Sequence, residues 1–262
     1  MWGRAVMKRI VLFRFHKSIQ VCRNRIELIR KNNPGIAIYG LYGGSESYFP
    51  KVKQELGREF AHLYCIKGRS RRWKWLHGDL AVRLWYHQYG RRVDFDMLHL
   101  IEWDLIFHDS LAEIYRFIPV DGVGLTCLVP LKQIEARWKW TKNLKWLAEW
   151  QKLLTLARRE YLYEGVPHAC YGPGACLPKN FLDRYCRESI PEWCHDEVRY
   201  PLFAQNFGFK LYDTEFTKCW FSESREQFFV SGRLIKSEVI EEELRKPYGK
   251  RAFHPYQRIV SL

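Results

Sequence analysis

Short apolar runs alternate with helix-like stretches along the first 66 residues, and this alternation strongly constrains the fold. Three runs rich in β-branched and aromatic residues predict strands at Arg9–Phe15, Ile36–Tyr42 and Phe60–Ile66. Helices are predicted between them, from about Ile19 to Lys31 and from Tyr48 to Leu56. Because no tight hairpin signal joins the strands, the alternation indicates right-handed crossovers and parallel pairing. The sequence therefore predicts an α/β fold with a mostly parallel central sheet flanked by helices.

The first predicted helix has suitable residues at both of its ends. Ser18 is placed to cap its start, and Asn32–Gly35 supplies turn residues after it. Its apolar residues are expected to face the sheet, and its arginines are expected to face solvent. The apolar set is Val21, Ile26 and Ile29, and the outward set is Arg23, Arg25 and Arg30.

Beyond residue 66 no internal repeat or low-complexity linker divides the chain, so we expect one domain over residues 1–262. Arg69–Trp75 is expected to form a basic loop. His168–Leu177, which contains Tyr-Gly-Pro-Gly, is expected to be a constrained loop or strand edge. Further helices are expected at about Leu76–Tyr89, Leu111–Phe117, Arg137–Arg159 and Lys179–Arg187, and another is expected to begin at Asp196 or Glu197. Further strands are expected before Glu102, at Gly122–Val129 and at Gly208–Tyr212.

Two carboxylates, Glu102 and Asp104, interrupt an otherwise apolar stretch. Met97–Ile101, broken only by His99, precedes them and Leu105–Phe107 follows them, which is typical of a buried strand and its end. Acids in such a place are costly unless a cation neutralises them. Carboxylates suit Mg²⁺ or Mn²⁺, ions that often hold a substrate's phosphates. The pattern therefore indicates a metal-diphosphate site, and a strand end whose acids face solvent is the alternative.

The predicted sheet also gives these acids a suitable location. In open parallel sheets, ligands bind beyond the carboxyl ends of the strands. Glu102 and Asp104 follow the fourth strand at that edge, and Arg14–Lys17 follows the first strand. This shared edge favours the ligand-site interpretation over the solvent-facing one.

The composition is basic and aromatic, with a net charge of +14 and 16% aromatic residues. Such a balance fits anionic partners in general: nucleic acid, an acidic membrane surface or a phosphorylated small molecule. No run of about 18 apolar residues and no signal-peptide pattern is present, so we expect a cytoplasmic protein that is soluble or peripheral to a membrane.

Eight cysteines occur without a C-x-x-C pair, which is typical of reduced, buried thiols in an intracellular protein. Zinc binding is an alternative for part of the series, although the spacings are irregular. That series is Cys170, Cys176, Cys186 and Cys194, flanked by His168 and His195.

The order of these features resembles the GT-A (Rossmann-like) fold glycosyltransferases, which use nucleotide-diphosphate sugars. Members carry an Asp-x-Asp motif after the fourth strand, and here the motif reads Glu102-Trp103-Asp104, one methylene longer at its first acid. His195-Asp196-Glu197 lies where many inverting members have an acidic pair at a helix start. Phe253-His254-Pro255 resembles the segment whose histidine completes the metal site in several members. The resemblance extends over about residues 8–257.

The resemblance implies a site for Mn²⁺ or Mg²⁺. Asp104 would bind the ion directly, His254 would be a further ligand, and Glu102 would act through water or contact the ribose. The alternative for His254 is a surface histidine before a proline. Asp196 or Glu197 would be the general base that deprotonates the acceptor hydroxyl. The alternative for these two acids is stabilisation of a helix N-terminus.

The resemblance also implies donor contacts. Phe15 and His16 would hold the base, with Arg14 beside them, while Asp79 would contact the nucleoside or instead pair with Arg83 four residues later. Trp103 lies between the motif acids at the donor site, where we expect it to contribute packing. Further candidates are Arg71, Arg72 and Lys74 for the phosphates and Tyr171–Gly174 for the acceptor side.

We therefore expect a metal-dependent glycosyltransferase that moves a sugar from a UDP-sugar or GDP-sugar to a glycan or another hydroxyl acceptor, with inversion. The nucleotide-sugar half would cover about residues 8–110 and the acceptor half residues 111–262. Peripheral membrane contact is compatible with the predicted helix at Arg137–Arg159, which is basic and rich in tryptophan. Nucleic acid is not expected as a partner. Alternatives are a sugar-phosphate nucleotidyltransferase, disfavoured because Arg14–Ser18 lacks glycine, and a basic nucleic-acid-binding protein, which leaves the buried acids unexplained.

Overall fold

A computed structural model describes residues 7–217, 220, 228–229 and 234–260. Cys219, one of the eight cysteines, lies outside these residues. The described strands are β1 Arg9–Phe15, β2 Ala37–Tyr42, β3 His62–Cys65, β4 Met97–Glu102, β5 Ile106–Phe107, β6 Val123–Pro130, β7 His168–Pro178, β8 Leu211–Asp213 and β9 Ala252–Phe253. The described helices are α1 Ile19–Asn32, α2 Phe49–Leu56, α3 Arg71–Leu76, α4 Gly78–Gln88, α5 Leu111–Ile114, α6 Leu131–Ile134, α7 Leu144–Tyr161, α8 Lys179–Arg187, α9 Asp196–Asn206 and α10 Ser237–Arg245.

The central sheet has the strand order β3-β2-β1-β4-β7-β6-β8 within the described residues. Strand β7 runs antiparallel to both of its neighbours, and every other pair in this sheet is parallel. A second, two-stranded sheet pairs β5 with β9. The predicted α/β fold with a mostly parallel central sheet is therefore confirmed.

Strand β1 has buried side chains on both faces of the sheet, and helices cover each face. Successive strand residues point to opposite faces. Ile10 and Leu12 belong to a core cluster with buried residues of α4, α7, α8 and α9, whereas Val11 and Phe13 pack with those of α1 and α2. Because both faces are covered, the strand is apolar at every position between its two arginines, as expected for a buried parallel strand.

Several predicted boundaries were wrong. The expected basic loop at residues 69–75 includes most of helix α3, which Ser70 caps by accepting a hydrogen bond from the Trp73 amide. The helix expected over residues 137–159 begins at Leu144. Residues 168–177, expected to be a constrained loop or strand edge, are most of strand β7, whose pairing with β6 shifts register around its Gly-Pro-Gly segment. Proline lacks an amide donor, but such irregular pairing tolerates it, so the turn residues did not end the strand.

The prediction that Arg25 faces solvent was also wrong. Arg25 is only 1% exposed, and its guanidinium donates hydrogen bonds to the carbonyl oxygens of Tyr256 and Arg258. Arg23 and Arg30 do lie outward, where they pair with Glu55 and Glu59. A helical pattern does not reveal that a C-terminal segment more than 200 residues away covers one side of the helix.

The seven described cysteines are free and buried, as the sequence predicted. The zinc alternative finds no support, because the group of possible metal ligands found among the described residues contains no cysteine. None of the described helices is both long enough and apolar enough to cross a bilayer.

Candidate metal and donor site

Two adjoining cavities lie beyond the carboxyl ends of the parallel strands. They share Arg14, His16, Lys17, Trp75, Glu102 and Trp103. The larger, about 1190 Å³, is otherwise lined by Phe15, Gly43, Gly44, Ser45, Glu46, Ser47, Ile66, Arg69, Arg71, Arg72 and Lys74. The smaller, about 480 Å³, is otherwise lined by Asp104, Tyr171, Gly172, Pro173, Asp196, Glu197, Phe229, Leu234, His254, Pro255 and Gln257.

Glu102, Asp104 and His254 come together in the smaller cavity. One potential ligand atom from each residue lies within 4.8 Å of the others, and the His254 Nε2 atom is 3.7 Å from the Asp104 Oδ1 atom. The two acids are brought there by the end of β4. The structure thus unites residues that are about 150 positions apart in the sequence.

The C-terminal segment places His254 through backbone hydrogen bonds. Strand β9 pairs antiparallel with β5, just after the acid motif. The Tyr256 amide donates to the Asp104 carbonyl oxygen at 2.8 Å, and the His254 amide donates to the Phe228 carbonyl oxygen at 2.9 Å. His254 is therefore fixed on both sides rather than exposed on a free terminus.

The electrostatics of this group fit a cation. Burial raises the pKa of Asp104, and neighbouring Glu102 raises it further, while His254 opposes the shift. The Asp104 Oδ1 and His254 Nδ1 atoms are buried and have no hydrogen-bond partner among the described residues. Buried polar atoms normally have partners, so the Asp104 Oδ1 atom, which lies 3.7 Å from the His254 Nε2 atom, is a candidate ligand atom. Two carboxylates and an imidazole suit Mn²⁺ or Mg²⁺.

Arg14 lies between the possible metal ligands and Asp196, one of the two predicted general bases. One guanidinium nitrogen pairs with Glu102, and the Arg14 Nη1 atom lies 4.0 Å from the Asp196 Oδ2 atom. The side chain lies close against the first residue of α4, because a Cβ added at Gly78 would stand 1.9 Å from the Arg14 Nη1 atom. Arg14 was expected beside the nucleotide base and at the ligand edge of the sheet, but not as a partner of Glu102 and Asp196. Its position at the carboxyl end of β1 was the available signal.

Asp196 is buried at the first position of α9. Its Oδ2 atom accepts a hydrogen bond from the Gly78 amide at 3.0 Å. Burial raises the pKa of Asp196 to about 8, with Asp79 and Glu197 adding to the shift and Arg14 and Arg199 opposing it. A carboxyl group tuned in this way holds a proton at neutral pH and can exchange it near the working pH of an enzyme.

The raised pKa of Asp196 predicts a cost in stability. Between the unfolded pKa of 3.8 and the folded pKa of about 8, the native state binds more protons at this site, so its contribution to stability falls as pH rises. The Asp196→Asn variant has no titrating carboxyl group at this position, so it does not lose stability there as the pH rises. Relative to wild type it should gain up to ~1.4 kcal/mol of unfolding free energy per pH unit in that window. Urea unfolding from pH 4 to pH 9 measures the difference, which should widen and then level off. Asp94→Asn, at an exposed carboxylate, should show no such widening.

Glu197 lies beside Asp196 but is less buried. The Glu197 Oε2 atom is 3.1 Å from the His195 Nε2 atom, and the His195 Nδ1 atom accepts a hydrogen bond from the Trp146 indole at 3.2 Å. That hydrogen bond leaves the proton of a neutral His195 ring on the nitrogen that faces Glu197. Both acids line the smaller cavity.

Asp79 lies inside the protein and lines neither cavity, contrary to the expected nucleoside contact. The expected pair with Arg83 is also absent, because both carboxylate oxygens accept hydrogen bonds from the buried Arg199. The Tyr185 hydroxyl donates to the same carboxylate. Arg199 is on α9, so this ion pair fixes α4 against the helix that begins with Asp196.

The remaining predicted donor residues differ in exposure. The Phe15 ring is buried and stacks on Phe60, so its contribution to the cavity wall is largely backbone. His16 is exposed and meets Trp103 edge-on at 5.5 Å between ring centroids. Trp103 is 4% exposed and also lies under the Lys17 ammonium group, in the packing role expected of it.

One wall of the larger cavity is formed by basic side chains. Arg71 and Arg72 are exposed at the start of α3, while the Lys74 Nζ atom donates to the Gly44 carbonyl oxygen at 3.0 Å. Arg69 pairs with Glu192 at 3.2 Å. A concentration of cations in a cavity attracts phosphorylated ligands.

No protein-family model matches this chain, and no curated protein matches it. Several solved structures of glycosyltransferases are similar to it in fold. The galactosyltransferase LgtC, in complex with donor and acceptor sugar analogs, is 12% identical, with 79% of this chain and 74% of LgtC covered and a TM-score of 0.43. The bifunctional glycosyltransferase WbbM is 9% identical, with 98% of this chain and 47% of WbbM covered and a TM-score of 0.46. Mouse xyloside xylosyltransferase 1 is 10% identical, with 78% of this chain and 84% of that protein covered and a TM-score of 0.38.

Proposed function

We propose that this chain is a metal-dependent glycosyltransferase that moves a sugar from a nucleotide-diphosphate sugar to an acceptor hydroxyl. The observation that carries the proposal is the half-buried group of Glu102, Asp104 and His254. It lies in the smaller cavity, beside the Glu102 and Trp103 wall that this cavity shares with the larger, basic one. The donor's diphosphate and the acceptor hydroxyl would meet where the two cavities join.

Asp104 and His254 would hold Mn²⁺ or Mg²⁺ directly, and Glu102 would support the ion or contact the ribose. The ion, when bound, would neutralise the negative charge that develops on the departing nucleoside diphosphate. The protein's part is to fix the ligands. The Tyr256 amide anchors the His254 segment to Asp104, and the Arg14 guanidinium orients Glu102.

The larger cavity would bind the donor, and all of its lining residues fall within the proposed nucleotide-sugar half, about residues 8–110. Arg71, Arg72 and Lys74 would attract the diphosphate, and His16 with the backbone of Phe15 would contact the base. Uridine diphosphate is the preferred nucleotide and guanosine diphosphate the second choice. Residues 111–262 would supply most of the acceptor side within a single domain.

The acceptor hydroxyl would be deprotonated by Asp196, with Glu197 beside it. Asp196 is favoured because burial raises its pKa to about 8, so its ionised form is a stronger base than an ordinary carboxylate and becomes available as the pH approaches that value. Gly172 borders it closely: a Cβ at Gly172 would lie 3.7 Å from the Asp196 Oδ2 atom. Direct attack of the acceptor oxygen on the anomeric carbon of the donor would invert its configuration.

A donor panel tests this function. Purified protein with Mn²⁺ is incubated with individual UDP-sugars and GDP-sugars, and free nucleoside diphosphate is measured. We expect release from one donor, and thermal stabilisation by that nucleoside diphosphate only when Mn²⁺ is present. Stabilisation by a single-stranded oligonucleotide without metal, together with no release from any donor, would contradict the proposal and favour nucleic-acid binding.

A further inference from the structure

Helix α1 holds the C-terminal segment through two adjacent buried residues, Asn24 and Arg25. The Arg25 guanidinium donates to the carbonyl oxygens of Tyr256 at 3.0 Å and Arg258 at 2.6 Å, and also to the Asn24 side-chain oxygen at 2.6 Å. Asn24 forms a reciprocal pair with Val260, donating to its carbonyl oxygen and accepting from its amide, both at 2.9 Å. These contacts define what we call the α1 clamp.

The α1 clamp acts on the segment that carries His254. Tyr256, whose carbonyl oxygen binds Arg25, also donates its amide to the Asp104 carbonyl oxygen at 2.8 Å. The Arg25 guanidinium additionally lies over the Tyr256 ring, 5.5 Å from its centroid. One residue therefore connects helix α1, the acid motif and the histidine segment.

The α1 clamp contains a buried charged side chain, which packing alone would not require. Burial lowers the pKa of Arg25 to about 10, so the side chain is still charged at neutral pH although it is 1% exposed. Burying a guanidinium is costly and is often no better for stability than well-packed apolar residues. Its planar set of donors does, however, fix backbone carbonyls in a defined geometry, which a hydrophobic side chain cannot do.

We propose that Asn24 and Arg25 are positioning residues of the metal centre: they hold residues 256–260 so that His254 faces Asp104. This inference rests on the proposed function, because it takes His254 as a ligand. Neither residue lines either cavity, and neither would touch the metal or the substrate. Their effect would pass through the position of the histidine ring.

Manganese affinity, measured calorimetrically with the metal alone, tests the α1 clamp. Arg25→Lys keeps the charge and loses the planar donors, and Asn24→Ala loses the pair with Val260. Each variant should bind Mn²⁺ about tenfold or more weakly, as is typical when a partner that orients a metal ligand is removed. In a His254→Ala background the same substitutions should have no further effect on Mn²⁺ affinity, because the residue through which they act is gone.

Two matched controls separate positioning from general stability. Arg23→Lys makes the same change on the same helix at an exposed arginine, and Ile26→Val destabilises the buried face of α1 by about 1 kcal/mol. Both should bind Mn²⁺ like wild type. Wild-type affinity in Arg25→Lys and Asn24→Ala, or equal losses with and without His254, would overturn the inference while leaving the metal centre intact. A wild-type protein that binds no Mn²⁺ would overturn the metal centre and the α1 clamp's role together.

Discussion

Asp104→Ala is expected to abolish Mn²⁺-dependent binding of the nucleoside diphosphate. Asp104 offers a buried oxygen without a hydrogen-bond partner among the described residues, and it faces the His254 ring at 3.7 Å. Without that oxygen, Glu102 remains tied to Arg14 and His254 alone cannot hold a hard divalent ion. The loss should exceed the roughly 10–100-fold typical of removing a partner that merely orients a ligand. Calorimetry with Mn²⁺, followed by nucleotide titration, measures both steps.

Thermal unfolding shows whether that loss reflects chemistry or misfolding. Because burial and Glu102 raise the pKa of Asp104, its ionised carboxylate opposes folding near neutral pH when no metal is bound. Asp104→Ala should therefore unfold at a temperature no lower than wild type without metal, and should gain nothing from added Mn²⁺. Asp94→Ala, at an exposed acid paired with Lys8, should retain metal binding. Unchanged metal-dependent activity in Asp104→Ala would refute the assignment of the ion to this group.

The parts of this protein that the sequence predicts well are those governed by local patterns. Strand β1 was expected at the bounds observed, because an apolar run of that length is unusual outside a buried sheet. A helix beginning at Asp196 or Glu197 was also expected, since an acid is favourable in the first helical turn, and α9 begins at Asp196. The acid motif could be placed at the cavity because the carboxyl ends of parallel strands share one edge.

The parts that were missed depend on contacts between distant segments. Asp79 was expected to bind a nucleoside or Arg83, but Arg199, 120 residues later, takes both of its oxygens. Arg83 instead donates to the Glu188 carbonyl oxygen. Helical periodicity likewise placed Arg25 in solvent, whereas the C-terminal segment buries it. A periodic pattern describes which residues share a face of one helix, and it does not identify what will cover that face.

Replacing both predicted bases, Asp196→Asn with Glu197→Gln, is expected to remove sugar transfer while leaving donor binding intact. Loss of a general base typically lowers the rate by about 10²–10⁴-fold. The amide at position 196 can still accept the hydrogen bond from the Gly78 amide, so the start of α9 should keep its place. Neither side chain lines the larger cavity, where the nucleotide is proposed to bind. Mn²⁺-dependent affinity for the nucleoside diphosphate should therefore match wild type.

The two single variants assign the role to one acid, and pH dependence supplies the readout. If Asp196 is the base, kcat/KM of wild type should rise with pH until its carboxyl group, with a pKa of about 8, is ionised. Glu197→Gln should keep this rise, and Asp196→Asn should lose both the rise and most of the transfer. A double variant that no longer binds the donor would instead show that these acids maintain the structure of the site. A profile that is flat in wild type from pH 6 to pH 9 would exclude Asp196 as the group that accepts the proton.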